Sequence, residues 1–346
     1  MTANKPTGRR IILRRHPEHE LQPSDFDFED QAALTPDQNQ FLVRNLFISV
    51  DPMLRLFIDA APLGGLLPSL PLRAAIPGPA VGEIIESRLD NFAVGDLVEG
   101  RFGWQDYALS DGTGVRRVAK ALGAPENALG VGGLPGFTAY VGLNAAGGVK
   151  PGQTFLVSGA AGAVGSVVGP LIRARGGRAV GIVSGEAKKQ YLIEQAGYAA
   201  AADRTAPDFL EQLQAALPQG ADVYFDNVGG PMLAAMMPYL ARGALVLISG
   251  LMAQYQGETA QLSNDNLPAI LHAVMAKGIR IQSFTQFGQD AQRPAFEEEI
   301  AKLLASGQIK PALHIEEGLE RLPHAMCGLF KNSVPGKVIV RTHNRI

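Results

Sequence analysis

The chain has 346 residues, 46% of them hydrophobic and 18% charged, with a formal net charge of −2. That length exceeds one ordinary domain and can bury a substantial core, while a near-neutral charge with scattered basic residues speaks against nucleic acid as a partner. No run of about 18 uncharged apolar residues occurs, residues 1–10 lack the apolar stretch of a signal peptide, and the single cysteine, Cys327, excludes an internal disulfide and any multi-cysteine zinc site. A cytoplasmic protein with no membrane partner is the expectation.

Residues 9–15, 41–50, 80–87, 96–99 and 104–110 read as short strands split by proline and glycine, as in a β-barrel. The apolar run 60–79 interrupts them; it could cover an active site as a loop or equally serve as a partner surface. Past residue 130 the texture changes, and from residue 150 to about 286 strands and helices alternate, the signature of a doubly wound parallel sheet. Gly133 to Tyr140 reads as the linker between the two regions.

Residues 155–157 suit a buried parallel strand, and 163–175 can run as a helix closed by Gly176 and Gly177. Between them Gly159-Ala-Ala-Gly162-Ala163-Val164-Gly165 forms a glycine turn. Gly162 would let the backbone approach a dinucleotide's pyrophosphate, Gly165 would let helix pack on strand, and the helix N-terminus offers free N–H groups and a positive dipole end. Ala160 stands where the first glycine of G-x-G-x-x-G would be, so a glycine-rich turn without function is the competing reading.

Residues 178–183 read as the next strand. It ends in Ser184-Gly185 rather than in the Asp or Glu that binds free ribose hydroxyls. Lys188 and Lys189 follow, and Arg204 lies beyond the next helix; these cations suit a 2′-phosphate, so NADP(H) is the expected cofactor. One hydrogen bond to a charged group, worth roughly 1.5–3 kcal/mol, would give about 10- to 150-fold cofactor preference. The alternative is that both lysines open a solvated helix and Glu186 takes the acidic part. Further on, 223–226, 244–249 and 279–284 are buried-strand candidates, with helices from Pro231 and over 267–277 between them. Residues 296–306 and 319–330 read as late helices and 337–341 as a last strand.

Four segments carry a resemblance: Val43-Arg-Asn-Leu-Phe-Ile-Ser-Val-Asp-Pro52, Gly103-Trp-Gln-Asp-Tyr107, Gly162-Ala-Val-Gly-Ser-Val-Val-Gly169 and Tyr224-Phe-Asp-Asn-Val-Gly-Gly230. With the barrel-like start and the returning C-terminal strand, the chain resembles the zinc-independent medium-chain dehydrogenase/reductases. The branch is that of leukotriene B4 dehydrogenase/prostaglandin reductase and the bacterial alkenal and curcumin reductases. The resemblance implies an α/β protein with a GroES-like β-barrel domain (1–128 and 310–346) and a Rossmann NADP-binding domain (129–309). It also implies a homodimer joined through the edges of two Rossmann sheets, with which 245–252 and 279–284 are compatible. The implied reaction is reduction of the C=C bond of a small apolar enone or enal, with hydride passing from nicotinamide C4 to the β-carbon.

The zinc-dependent branch carries Gly-His-Glu where this chain has Pro77-Gly-Pro-Ala-Val-Gly82, and the six histidines suggest no tetrahedral ligand set, so no metal is expected. His16 and His19 flank Pro17 in a loop-like segment. No tyrosine is followed four residues later by lysine, which argues against short-chain dehydrogenase chemistry. Without a metal, a carbonyl must be polarised by a hydrogen-bond donor, and an activated C=C bond needs less help than an isolated ketone. The resemblance points to Tyr255 as that catalytic donor, with the cofactor's ribose hydroxyl sharing the task; a phenol of reference pKa about 10 is neutral at pH 7. From the sequence alone, a lone loop tyrosine such as Tyr255 is more often a packing residue than a catalytic one.

The resemblance further puts Gly162, Ala163, Val164 and Gly165 on the pyrophosphate turn and Lys188 on the 2′-phosphate. Asn227, Ser249, Gly250, Tyr255, Phe284, Thr285 and Gln286 fall near the nicotinamide half. Taken alone, Phe284 and Phe287 are more often core, and Asp226 reads as structural. Asp51-Pro-Met-Leu-Arg-Leu56 replaces a family tyrosine with Met53, leaving Met53, Phe57, Tyr255 and Phe287 as the candidate substrate pocket. Arg204 stands where the family commonly has tyrosine beside the adenosine phosphate. Val334-Pro-Gly-Lys337 lacks the family's asparagine, for which Asn332 is the candidate replacement. A quinone reductase of the same superfamily and a non-catalytic NADPH-binding sensor are the competing functions.

Overall fold

The computed structural model describes residues 7–60, 67–255, 266–331 and 334–343. Strands β1 (Gly8–Leu13), β2 (Phe26–Gln31) and β3 (Phe41–Ser49) lead into a short helix α1 (Leu54–Ile58), then β4 (Ala80–Ser87), β5 (Leu97–Gly100), β6 (Tyr107–Ser110) and β7 (Arg116–Arg117). Helix α2 (Leu134–Ala145) opens an alternating series: β8 (Thr154–Val157), α3 (Gly165–Ala174), β9 (Arg178–Val183), α4 (Glu186–Glu194), β10 (Ala200–Asp203) and α5 (Phe209–Ala216). It continues with β11 (Ala221–Asp226), α6 (Gly230–Met236), β12 (Leu240–Ile248), α7 (Leu267–Lys277) and β13 (Arg280–Ser283). Helix α8 (Arg293–Ala305), β14 (Leu313–Glu317), α9 (Leu322–Leu329) and β15 (Lys337–Arg341) follow.

Strands β8 to β13 form one parallel sheet in the order β10-β9-β8-β11-β12-β13, so the chain winds outward from the centre in both directions. Alternation of side chains along each strand separates two cores. Phe155, Val157, Phe225 and Leu247 pack with Phe137 of α2, Val167 of α3 and Phe296 of α8. Leu156, Tyr224 and Val246 face the opposite way, toward Leu213 of α5 and Met236 of α6. Burial on both faces explains why β8, β11 and β12 read as continuous apolar runs, whereas β13, expected from the sequence as a buried strand, is exposed along its length.

The second sheet follows the path β14-β15-β3-β4-β5-β7, with β6 also pairing to β3, and it is antiparallel except between β14 and β15. Its core gathers Phe26, Phe41, Ile84 and Trp104. β1 and β2 make a separate two-stranded antiparallel sheet. Fold class therefore agrees with the sequence expectation, a doubly wound parallel sheet beside a mainly antiparallel β unit.

Several local readings are corrected. The segment from Gly133 to Tyr140 is not a linker but the start of α2, with Pro135 in the first turn, where a missing N–H is tolerated. Every residue from Pro135 to Leu143 is buried, so the helix shows no polar face and no helical period in the sequence. At Gly136 a Cβ would lie 1.9 Å from the Val131 carbonyl oxygen, which is why glycine occupies that turn. Strands β2, β10 and β14 were not anticipated: β2 is acidic along its exposed face, and β10 is Ala-Ala-Ala-Asp, a strand by virtue of pairing with β9 rather than by propensity. The stretch 245–252 does not offer a sheet edge, because β12 lies between β11 and β13; the edge belongs to β13. His16 does sit in a loop, where its Nδ1 meets the Ile58 carbonyl oxygen at 2.7 Å.

Candidate functional site

A cavity of about 1110 Å³ opens beyond the carboxyl ends of the parallel strands. It includes the crevice between β8 and β11, where the chain reverses its winding and where open α/β sheets bind ligands. Of the residues singled out from sequence, Gly162, Ala163, Val164, Gly165, Lys188, Arg204, Asn227, Ser249, Gly250, Tyr255, Phe284, Thr285, Gln286, Met53 and Phe287 all line it. Phe57 does not; it lines an adjoining cavity that shares Met53 and Phe287. Asn332 lies outside the described residues.

The turn between β8 and α3 is built by close approaches. Gly159 takes the left-handed conformation (φ 56°), one residue before the position at which the dinucleotide pattern would place its first glycine. Ala160 is tolerated there because β9 offers Gly181 opposite: a Cβ on Gly181 would come within 2.9 Å of the Ala160 methyl. At Gly165 a Cβ would lie 2.5 Å from the carbonyl oxygens of both Gly159 and Ala160, so no larger residue fits without moving the turn. α3 begins at Gly165 rather than at Ala163. The amides of Ala163, Val164 and Gly165 precede the bond from Ser166 N to Gly162 O at 2.9 Å, so they form the anion-facing end of the helix.

Asp226 organises the neighbouring strand end. It is fully buried. Its Oδ1 accepts from Ser158 Oγ at 2.6 Å, Tyr224 OH at 3.0 Å and the amides of Val228 and Gly229 at 3.0 and 3.1 Å. Ser158 Oγ in turn accepts from the Asn227 amide at 2.9 Å, and Asn227 Nδ2 donates to the Ser158 carbonyl at 2.8 Å. Asn227 is thereby held at the cavity wall. Burial pushes the Tyr224 phenol well above its ordinary range, and the adjacent Asp226 charge adds to the shift, so the phenol is a committed donor.

At the other end of the cavity, Asp203 closes β10. Its Oδ1 accepts from the Gly185 amide at 2.8 Å and from the Thr205 amide and hydroxyl at 2.9 and 2.7 Å. Burial alone would raise this carboxyl, yet the bonds from Thr205 and Gly185, with the charge of Lys189, hold it below the usual range. That clamp sets the turn carrying Ser184 beside Arg204. Lys188 is half-buried, and its pKa is lowered first by that burial and then by Arg204, so two cations stand close enough to repel one another. An anion placed between them would relieve that repulsion. Glu186 instead lies exposed beside Lys189 at 3.4 Å and does not line the cavity.

The β-rich unit supplies the cleft's opposite wall. Gly336, at φ 85°, donates its amide to the Ala161 carbonyl at 2.7 Å, tying the glycine turn to the segment before β15. The buried Lys337 Nζ donates to the Val50 carbonyl at 2.5 Å and to Asp51 Oδ1 at 2.9 Å, while Ser49 Oγ donates to Asp51 Oδ2 at 2.6 Å. The half-buried Tyr255 follows a single 3-10 turn (Met252–Gln254), and its hydroxyl accepts weakly from the Leu251 amide at 3.4 Å. Sequence reasoning found most cavity-lining residues it named but missed Asp203, Lys337 and the Ser158 hydroxyl. Each acts through a hydrogen bond between segments distant in sequence, for which no local pattern exists.

Replacing Asp226 by alanine would strand several buried donors, at about 1–3 kcal/mol for each that finds no new partner. The expected outcome is a loss of roughly 3 kcal/mol in urea unfolding together with weaker NADPH binding, measured by cofactor fluorescence on the folded fraction.

Residues 9–118 match the family described as the N-terminal domain of oxidoreductase, and residues 163–305 match the zinc-binding dehydrogenase family. Among the described residues no group of three or more His, Cys, Asp or Glu side chains converges to hold a metal ion. The chain is 34% identical over 342 residues to the NADPH-dependent curcumin reductase of Escherichia coli (strain K12), covering 99% of each. It is 31% identical over 327 residues to prostaglandin reductase 1 of Bos taurus, covering 92% of this chain and 95% of that one. The crystal structure of CurA in complex with NADPH from Vibrio vulnificus matches with a TM-score of 0.91 at 34% identity, covering 97% of this chain and 100% of that one. With such identity along nearly its whole length, the chain belongs to the zinc-independent medium-chain dehydrogenase/reductases, in the branch of the curcumin and prostaglandin reductases.

Proposed function

We propose that this protein is an NADP-dependent oxidoreductase that reduces the C=C bond of α,β-unsaturated ketones and aldehydes. The observation that carries the reading is a single cavity lined by the glycine turn, the Lys188–Arg204 cations and Tyr255. The names of the reductase relatives and the NADPH complex of CurA support it. In this reading the amides of Ala163, Val164 and Gly165 would receive the pyrophosphate, and Lys188 and Arg204 the 2′-phosphate. Asn227, Ser249, Gly250, Phe284, Thr285 and Gln286 hold the nicotinamide half. NADPH, when bound, would supply the hydride to the β-carbon of the acceptor, and a proton from solvent would then complete the reduction at the α-carbon. Tyr255 donates a hydrogen bond to the carbonyl oxygen as negative charge builds there. Met53, Phe57 and Phe287 shape an apolar acceptor site.

We take residues 1–128 with 310–346 as the substrate unit and 129–309 as the cofactor unit, in a cytoplasmic enzyme. We also infer a homodimer. β13 is an edge strand exposed along its length, with Ile281 45% exposed, and α7 beside it leaves Leu271 55% and Met275 78% exposed. An uncovered apolar edge of this kind invites pairing with a second copy.

Three outcomes are expected. Tyr255→Phe lowers kcat/KM for enones by roughly 10²-fold, the scale for losing one oxyanion donor, followed as NADPH oxidation; quinone turnover that exceeds enone turnover and survives the substitution would instead identify a quinone reductase. Lys188→Ala raises KM for NADPH by roughly 10- to 100-fold while leaving KM for NADH nearly unchanged. Ile281→Glu combined with Met275→Glu converts the dimer to a monomer in sedimentation velocity.

A further inference from the structure

Beside the large cavity lies a second of about 410 Å³. The two share Asp51, Met53, Leu134, Gln286 and Phe287, so they meet at the proposed acceptor site. The Asp51 carboxylate at this junction is already bonded by Lys337 and Ser49. Phe57, Leu70, Pro71 and Phe137 give the second cavity apolar walls, and the described part of the proline-rich run forms one side of it. Its lining also includes a charged group, Glu99, Arg116 and Arg293.

Arg116 Nη2 is engaged by Glu99 Oε2 at 2.8 Å. Arg293 is held differently. Its guanidinium lies over the Phe137 ring at 4.0 Å, and its nearest paired carboxylate oxygen, Asp290 Oδ1, is 4.0 Å from Nε, beyond hydrogen-bond reach. Nε and Nη1 are buried without a hydrogen-bond partner, which leaves Nη2 as the nitrogen able to reach the cavity. Only 12% of the side chain is exposed. A guanidinium offers donors alone, and keeping one out of water without an acceptor is costly. The lining sets Arg101, Arg116 and Arg293 against the carboxylates of Asp51, Glu99 and Asp290, and Asp51 is already engaged by Lys337, so the balance disfavours a cationic guest.

We infer that the second cavity is the distal subsite of the acceptor pocket. Arg293 is its specificity-determining residue, receiving a carboxylate or other hydrogen-bond acceptor at the far end of an apolar chain that extends from the reacting double bond. This inference rests on the enone-reductase reading above.

The test uses matched enones with alkyl, methyl ester, carboxylate or ammonium ends over a series of methylene spacers, assayed with wild type, Arg293→Met and Arg293→Lys. In wild type, the carboxylate should exceed the alkyl end in kcat/KM by roughly 10-fold or more at the spacer that reaches Arg293, mainly through KM. The ester should gain less and the ammonium nothing. That ratio should collapse toward one in Arg293→Met and be partly kept by Arg293→Lys for the carboxylate alone. A wild-type ratio near one at every spacer overturns the inference whether or not the variants fold, as does a ratio that survives Arg293→Met. Should no enone turn over, the reductase reading fails, while saturated analogues titrated calorimetrically into the NADP⁺ complex still decide the subsite. Tighter binding of carboxylate than alkyl ends supports it, and equal binding rejects it.

Discussion

The site depends on one buried carboxylate. Asp226 sits at the reversal of the parallel sheet, with no solvent to satisfy it, and collects donors from Ser158 just past β8, from its own strand and from the turn before α6. A buried anion is tolerable only when so fully hydrogen-bonded. The same bonds that make it tolerable also fix the Ser158 hydroxyl, the Asn227 amide and the entrance to α6. Asp203 repeats the solution three strands away, gathering the Gly185 and Thr205 amides. The cavity wall is thus framed by acidic side chains turned inward to bind backbone, leaving the basic Lys188 and Arg204 to face the cleft. That division of labour gives a site suited to anionic ligands in a chain of nearly neutral net charge.

Between these anchors the glycine turn works by exclusion of volume. Gly165 is fixed by two carbonyl oxygens, and Ala160 is permitted by Gly181 on the adjacent strand. The departure from the expected glycine pattern is therefore compensated across the sheet, by a residue a linear motif does not include. Gly336 closes the turn from the other unit, its amide donating to the Ala161 carbonyl within a parallel bridge to Gly162.

Much of this was legible in the sequence, for identifiable reasons. β8, β9, β11 and β12 announce themselves because burial on both faces demands unbroken apolar runs, and α7 occupies the expected 267–277, with Pro268 in its first turn and Gly278 in the left-handed conformation just past its end. Helix α2 was hidden by the opposite condition: buried on every side, it carries no period to detect. β10 was hidden by its alanines, and its place in the sheet comes from its neighbour. In the site, residues that line the cavity through their own loops were found, whereas Lys337 and Asp203, whose roles lie in their partners, were not. The proline-rich run posed a choice between loop cover and partner surface, and its described part forms cavity wall.

The bond from Lys337 to Asp51 joins positions 286 residues apart, and β15 lies beside β3 as a neighbour within the sheet rather than as an appendage to it. On a ribosome, β3 can pair early with β4 and β6, but its contact with β15 must wait until that strand emerges. The parallel sheet, whose strands follow one another closely, can assemble in the interval. The cleft wall containing Lys337 therefore arrives last, so a chain stopped short of β15 could hold a folded parallel sheet yet lack that wall.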